Sequence, residues 1–149
     1  MSKPPNLEQI FSKHNRLLLA VILRRSDGRE EGIVFPTEPS DELQVGHMYW
    51  KSGHVIAAHE HNPMVRKIST TQEVLFIRSG IVRVDLYVDS THFECSRVLY
   101  EGDVIYLRAG GHGFEILEDA DIVEVKQGPY KGEGEKTRFL PTDNPHWTA

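Results

Sequence analysis

The chain is short of several features that would place it in other protein classes. It has one cysteine, Cys95, so no disulfide can form within a chain, and a reducing compartment is the simpler expectation. Its 17 Lys and Arg residues are spread along the chain without a basic stripe, and the net charge is −5. The electrostatic footprint of a nucleic-acid-binding protein is therefore missing, and we expect no nucleic-acid partner.

Long apolar runs are also missing. The run LLLAVIL, at residues 17–23, is much shorter than the roughly 20 residues that a membrane-spanning helix needs. It continues directly into Arg24 and Arg25 and has no small-residue cleavage site, so it does not match a secretion signal. We interpret it as a buried strand of a cytoplasmic protein with no membrane partner.

The length of 149 residues suits one domain with its own core and is too short for two. We predict a single domain over residues 1–149, with its core at about 43–127. Residues 1–16 are predicted to be helical, because Leu7, Ile10 and Phe11 are spaced to share a helix face after a possible cap at Asn6. Residues 128–149 are polar and rich in Gly and Pro, and are predicted to form a loop and tail, with one short strand near TRFL as an option.

Between these ends, the pattern is that of β-strands joined by tight turns. Val82, Val84 and Leu86 alternate with polar residues, which is the period of a half-buried antiparallel strand. Turns are predicted at Ser79-Gly80, at residues 89–91 and at residues 100–103, and residues 53–61 are predicted to form a strand. Many short strands without intervening helices predict an all-β antiparallel sandwich or barrel.

A set of possible metal ligands is distributed over these strands. In a strand at residues 53–61, His59 and His61 would project from one face. Glu73 begins the next strand, and His112 follows a Gly-rich turn. Three imidazole nitrogens and one carboxylate oxygen suit a divalent transition metal such as Zn, Ni, Mn or Fe. The alternative is a hydrogen-bonded polar cluster without metal.

The same residues resemble two motifs of the cupin superfamily, over roughly residues 43–127. The first motif, Gly-x5-His-x-His-x(3–4)-Glu-x6-Gly, is matched by Gly53, His59, His61, Glu73 and Gly80, although eleven residues separate His61 from Glu73. In the second, Gly-x5-Pro-x-Gly-x2-His-x3-Asn, the main positions are supplied by Gly102, Gly110 and His112. Arg108 replaces the Pro, one residue is missing before His112, and the Asn is absent.

The resemblance implies a cupin fold, which is an antiparallel jelly-roll β-barrel, here with a short N-terminal helix. It also implies that His59, His61, Glu73 and His112 bind a metal inside the barrel.

Further residues near these motifs are candidates for chemistry. Tyr106 and Lys126 are predicted catalytic residues, since a Tyr or Lys held near a metal can act as an acid or a base. Tyr49, Lys51, Arg66 and Arg108 are predicted to bind substrate, and Arg66 with its neighbour Lys67 would serve as a clamp for an anionic group. Each of these residues also has a simpler interpretation, as a packing or solvated side chain.

The sequence is compatible with three classes of function. The chain is similar to small single-domain cupins of the mannose-6-phosphate isomerase type, which accompany bacterial surface-polysaccharide and sugar-nucleotide pathways. That similarity implies a metal-assisted isomerase or epimerase acting on a small, polar, sugar-type substrate. The alternatives are an Fe(II) cupin dioxygenase and a non-catalytic module that binds a metal or ligand.

We also expect a homodimer, because a lone barrel-like sandwich leaves strand edges exposed. Either the N-terminal segment or the C-terminal tail is the predicted cross-subunit element.

Overall fold

A computed structural model describes residues 7–26 and 30–148 and confirms the all-β class. Within these residues there are eight strands, one short 3-10 helix at Glu133–Glu135 and no α-helix. The strands are β1 (Leu7–Phe11), β2 (Leu18–Leu23), β3 (Gly32–Val34), β4 (His47–Tyr49), β5 (Glu73–Asp89), β6 (His92–Tyr100), β7 (Val104–Leu107) and β8 (Gly111–Lys126). None of the helical residues in the described part of the chain forms a segment able to span a membrane.

The predicted N-terminal helix is wrong for residues 7–11, which form β1 and pair antiparallel with β2. Ile10 lies opposite Ala20 and is buried with it, whereas Phe11 remains about half exposed. The spacing of Leu7, Ile10 and Phe11 therefore does not build an apolar helix face. The exposed edge of the very apolar β2 instead provides hydrogen bonds for β1. The first six residues of the predicted helical segment lie outside the described part.

Six strands form one antiparallel sheet, in the order β1-β2-β7-β5-β6, with β8 on the other side of β5. The first half of β5 pairs with β7 and the second half with β6, while β8 pairs with β5 over almost its whole length. The sheet is strongly curled and forms a half-barrel. The finer prediction of a jelly roll stays a prediction.

The curl is concentrated in the long ribbon of β5 and β8, near Gly80. The pairing register shifts three times between Ile77 and Val82, so extra residues bend the ribbon there. Gly80 has φ 86°, and a Cβ at this position would lie 2.2 Å from the backbone oxygen of Asp119. A hairpin predicted at Ser79-Gly80 is therefore wrong: the chain bends at Gly80 and continues in the same strand. The turns predicted at residues 89–91 and 100–103 are confirmed.

The concave face of the sheet carries the main core. Val82, Val84 and Leu86 are buried there, which confirms the alternation expected from the sequence. The cluster also contains Ile10, Ala20, Ile22, Leu75, Ile77, Leu99, Ile105 and Leu107. A second, smaller cluster on the opposite face joins Leu18, Val21, Val74 and Tyr106, against which Leu43 and Val45 pack.

The predicted strand at residues 53–61 is wrong, because the structure has no strand between β4 and β5. Strand β4 ends at Tyr49 and pairs only with β3 among the described residues. Residues 51–71 are all exposed and irregular. An alternating pattern becomes a strand only when a neighbour accepts its backbone hydrogen bonds, and within the described part of the chain these residues have no such neighbour.

The C-terminal segment has no strand at TRFL and packs across the outer face of β5 instead. Asn144 is buried, and its side-chain amide donates hydrogen bonds to the Asp85 carboxylate at 3.1 Å and the Tyr87 hydroxyl at 2.7 Å. The Phe139 ring meets Tyr87 edge-on, at 5.1 Å between ring centroids. These contacts hold the segment against the start of β8.

Gly80→Ala tests the role of the bend. The variant would place a side chain in the left-handed region and against the Asp119 carbonyl, so we expect the free energy of unfolding to fall by roughly 2 to 4 kcal/mol. Urea unfolding followed by circular dichroism measures the change. Gly113→Ala is the matched control in the same ribbon, because a Cβ there meets no atom within 4 Å. Equal losses in the two variants would contradict a special role for Gly80.

Candidate functional site

A cavity of about 630 Å³ lies where the two ends of the curled ribbon approach each other. Its wall is formed by the start of β5, both ends of β8 and residues 135–141 of the C-terminal segment. The polar and charged side chains in this wall are Thr71, Glu73, Tyr87, His112, Glu124, Lys126, Glu135, Lys136, Thr137 and Arg138. Phe114 and Phe139 add apolar surface, so the wall is mixed in character.

Glu73 and His112 form the closest pair in this wall. Glu73 Oε2 lies 3.0 Å from His112 Nε2, and the two side chains are 8% and 30% exposed. Along the register, Glu73 pairs with Lys126, whereas His112 pairs with Leu86. Residues 73 and 86 would be roughly 40 Å apart on a straight strand, so the bend of the ribbon creates the contact.

The surroundings of Glu73 favour its charged form. The hydrogen bond from His112 is the main cause that lowers the pKa of the Glu73 carboxyl, and it outweighs burial, which raises it. The positive charges of Lys136 and Lys126 act in the same direction as His112. Glu73 is thus a carboxylate at neutral pH, held against an imidazole at the edge of the cavity.

Lys126 lies directly opposite Glu73 in the register and therefore on the same face of the sheet. Its Nζ is 3.6 Å from Glu124 Oε1 and 5.7 Å from the centroid of the Tyr130 ring. Lys136 and Arg138 enter the wall from the C-terminal segment. The site thus combines a carboxylate, an imidazole and several cations, which suits proton transfer on a bound anionic molecule.

The structure brings together two of the four predicted metal ligands, Glu73 and His112. His59 and His61 lie in the exposed segment between β4 and β5, with ring centroids 5.4 Å apart. His59 Nδ1 lies 2.9 Å from the carbonyl oxygen of Ala57. Residues 7–26 and 30–148 contain no cluster of three or more His, Cys, Asp or Glu side chains placed to hold a metal ion. The four-ligand metal site stays a prediction.

Of the two predicted catalytic residues, Lys126 lies in the cavity wall and Tyr106 does not. Tyr106 is fully buried in the second apolar cluster, where its hydroxyl donates a hydrogen bond of 2.9 Å to Gln72 Oε1. Burial raises the pKa of Tyr106 to about 12. The alternation of β7 places Tyr106 on the face of the sheet opposite the main core, which the motif spacing did not reveal.

The predicted substrate-binding residues lie outside the cavity wall. Tyr49 is in β4, and Lys51 forms an ion pair of 3.3 Å with Glu31. Arg66 is exposed in the irregular segment, and Arg108 is 2.8 Å from the buried carboxylate of Asp41.

The C-terminal segment supplies the cavity residues that the sequence analysis did not identify. Lys136, Arg138 and Phe139 come from a stretch that was interpreted as a loop. Its signal in the sequence was weak: two cations and an aromatic residue in a polar tail rich in Gly and Pro. Only the packing of the tail against Tyr87 brings these side chains to the site.

Comparison with protein-family models, curated proteins and solved structures finds no match for this chain. The class that the structure defines is therefore an all-β protein with a curled antiparallel sheet and a polar cavity at the junction of its ribbon ends. The cupin resemblance remains a prediction from the two motifs.

Glu73→Gln tests the electrostatics of the pair. A carboxyl group whose pKa is lowered by folding stabilises the folded protein above its unfolded pKa, and this contribution is lost as pH falls through the folded value. At pH 7 we expect the variant to be less stable by about 1 kcal/mol. The difference should shrink as pH falls below the ordinary value of 4.5. Chemical denaturation over a pH series measures it.

Glu124→Gln is the control for this prediction, since Glu124 lies in the same wall but is 41% exposed. The free energy of unfolding of this variant should fall by less than about 0.5 kcal/mol, as expected for the loss of an exposed ion pair. A Glu73→Gln difference that is constant over the whole pH range would contradict the assigned cause.

Proposed function

We propose that the cavity binds a small, polar, anionic molecule of the sugar type and that the protein is an isomerase or epimerase. The observation that carries the proposal is the 3.0 Å contact between Glu73 and His112 in the cavity wall, beside Lys126. A cavity of about 630 Å³ has the size of small-molecule sites in general.

The proposed chemistry is a proton transfer between adjacent carbons. The His112 imidazole takes the proton from the carbon next to a carbonyl group. In an isomerisation it returns this proton to the former carbonyl carbon, while the hydroxyl proton passes to the former carbonyl oxygen through Lys126. In an epimerisation it returns the proton to the same carbon after the enolate has turned its other face to His112. Glu73 fixes the orientation of the ring and stabilises the imidazolium that forms. Lys126 faces the same space and stabilises the negative charge that develops on the carbonyl oxygen.

Charge in the cavity supports an anionic substrate. Lys126, Lys136 and Arg138 lie in the wall, against the carboxylates of Glu73, Glu124 and Glu135. Glu73 is engaged by His112, Glu124 lies 3.6 Å from Lys126, and Arg138 lies 3.3 Å from Glu133. Lys136 is thus the wall cation without an ion pair in the described structure, and a phosphate or carboxylate on the substrate can pair with it.

A divalent transition metal is a further part of the proposal. Glu73 and His112 are suitable donor types for such an ion, which would supply Lewis-acid chemistry if bound. As arranged, however, the described residues give two donors there and not three, so the cavity by itself does not fit a protein-held ion. No step of the proton transfer above depends on a metal.

Solvent deuterium exchange tests the enzyme proposal. Wild-type protein incubated with hexose 6-phosphates in deuterated water should incorporate deuterium next to the carbonyl carbon, detected by mass spectrometry. His112→Ala should lower the exchange rate by at least about 100-fold, because it removes the general base. Tyr106→Phe is the control away from the cavity and should change the rate less than about 3-fold.

Two outcomes would contradict the enzyme proposal. Binding of the sugar phosphates without exchange would favour a non-catalytic binding module. Oxygen consumption in the presence of Fe(II), without exchange, would favour a dioxygenase.

Metal content tests the metal part of the proposal. If His59 and His61 join Glu73 and His112 when the protein is loaded with Zn²⁺, Ni²⁺, Mn²⁺ or Fe²⁺, plasma mass spectrometry should find about one ion per chain, since four protein ligands hold such ions tightly. The two donors of the described arrangement would hold none. The ion should be lost in Glu73→Ala and in His59→Ala, whereas His47→Ala is the control histidine outside the predicted set. Retention of the ion in both ligand variants would contradict the predicted ligands.

A further inference from the structure

One edge of the long strand β8 has no partner in the described chain. Of the described strands, β5 alone is hydrogen-bonded to β8. Its 16 residues include Phe114, Ile116, Leu117, Val123 and Val125, each of which is more than a third exposed. β8 contains no proline, so nothing in its backbone prevents a further strand from pairing there. A long, apolar and unpaired edge of this kind is a template for strand addition.

The exposed segment of residues 55–68, which we call the arm, is a second apolar stretch whose backbone pairs with no strand among the described residues. Val55, Ile56, Met64, Val65 and Ile68 are exposed, and Val65 is 99% exposed. Among the described residues, the one hydrogen bond made by the arm is local, between His59 Nδ1 and the carbonyl oxygen of Ala57. The arm begins after a turn at residues 51–54 and ends where Ser69 and Thr70 bind Glu42. It is held at both ends and unpaired between them.

Charge distinguishes the possible occupants of the β8 edge. β8 carries five acidic residues and one basic residue, namely Glu115, Glu118, Asp119, Asp121 and Glu124 against Lys126. Three of these acids pair with Arg78, Arg83 and Lys126, which leaves Glu118 and Asp119 near the middle of the strand without an ion pair in the described structure. Pairing of β8 with a second β8 would oppose like charges and is disfavoured.

The arm carries the opposite charge. Arg66 and Lys67 are exposed and form no ion pair in the described structure, and Glu60 is the one acidic residue of the arm. Its 14 residues span roughly 45 Å when extended, which is close to the length of β8. Pro63 is the one residue of the arm that has no backbone N–H to donate. Proline is tolerated in a strand that forms the outer edge of a sheet.

We propose that the arm of one chain pairs with the free edge of β8 in a second copy, and that the exchange is reciprocal. Both complementary elements are present on every chain, so two copies satisfy each other in one closed dimer with two-fold symmetry. The exchange buries the apolar residues of the arm against those of β8. It also brings Arg66 and Lys67 to the acidic strand. In this arrangement the cross-subunit element is the segment between β4 and β5.

The double variant Ile56→Asp/Val65→Asp tests the exchange. Wild-type protein should have a mass of about 34 kDa by light scattering, twice the 17.0 kDa of one chain. The variant should dissociate, with the dimer dissociation constant raised at least about 100-fold, because it places two carboxylates against an acidic strand. Circular dichroism should show an unchanged fold, since both residues are exposed in the single chain. Leu140→Asp is the matched control, because Leu140 is exposed but lies outside the arm and β8.

Amide hydrogen exchange identifies the contact itself. In the wild-type dimer, residues 55–68 and the central residues of β8 should be protected together, and both should lose protection in the double variant. A monomer at all concentrations would overturn the proposal, whether its arm is protected by its own β8 or exchanges freely. A dimer that survives the double variant would overturn it as well. These readouts do not depend on activity or metal content, so they remain distinct from tests of the proposed function.

Discussion

The bend of the β5–β8 ribbon at Gly80 is the constraint on which the rest of the structure depends. Extra residues on both sides of Gly80 shift the register, and the absence of a side chain allows Asp119 to approach. A straight ribbon of this length would leave its two ends far apart. The bent ribbon closes the concave face over the main core and brings Glu73 against His112. The same bend therefore shapes the sheet and brings the residues of the site together.

Three residues of the cavity wall, Glu73, His112 and Lys126, share one face of the sheet with the core. Along β5, the inward positions run from Glu73 through Leu75 and Ile77 to Val82 and beyond. Apolar side chains occupy the middle of this face, and polar side chains occupy its ends. Because the ribbon ends meet, the polar positions lie together at the open end of the half-barrel. Burial beside the core makes the Glu73 carboxylate depend on His112, and the positive charges of Lys136 and Lys126 reinforce it.

Local sequence patterns correctly predicted those strands in which apolar and polar residues alternate and for which a neighbouring strand is available. The strands around Val82 and Ile105, and the turns on either side of β6, follow from periodicity and turn residues. Glu73 and His112 were identified from their spacing, and they do meet. The errors lie elsewhere: residues 7–11 were predicted to be a helix, and residues 53–61 to be a strand. In both cases the local pattern was compatible with more than one conformation, and the available hydrogen-bonding neighbour determined the result.

The sequence by itself determined the all-β class, the alternation that buries the core, and the identity of the acidic and imidazole groups at the site. The tertiary structure alone decided that Gly80 is a bend and not a hairpin, that Tyr106 lies away from the cavity, and that the C-terminal segment supplies cations to it. The reason is physical. Periodicity fixes which face of a strand a residue occupies, whereas the meeting of distant residues depends on curvature and register, which are set by contacts along the whole ribbon.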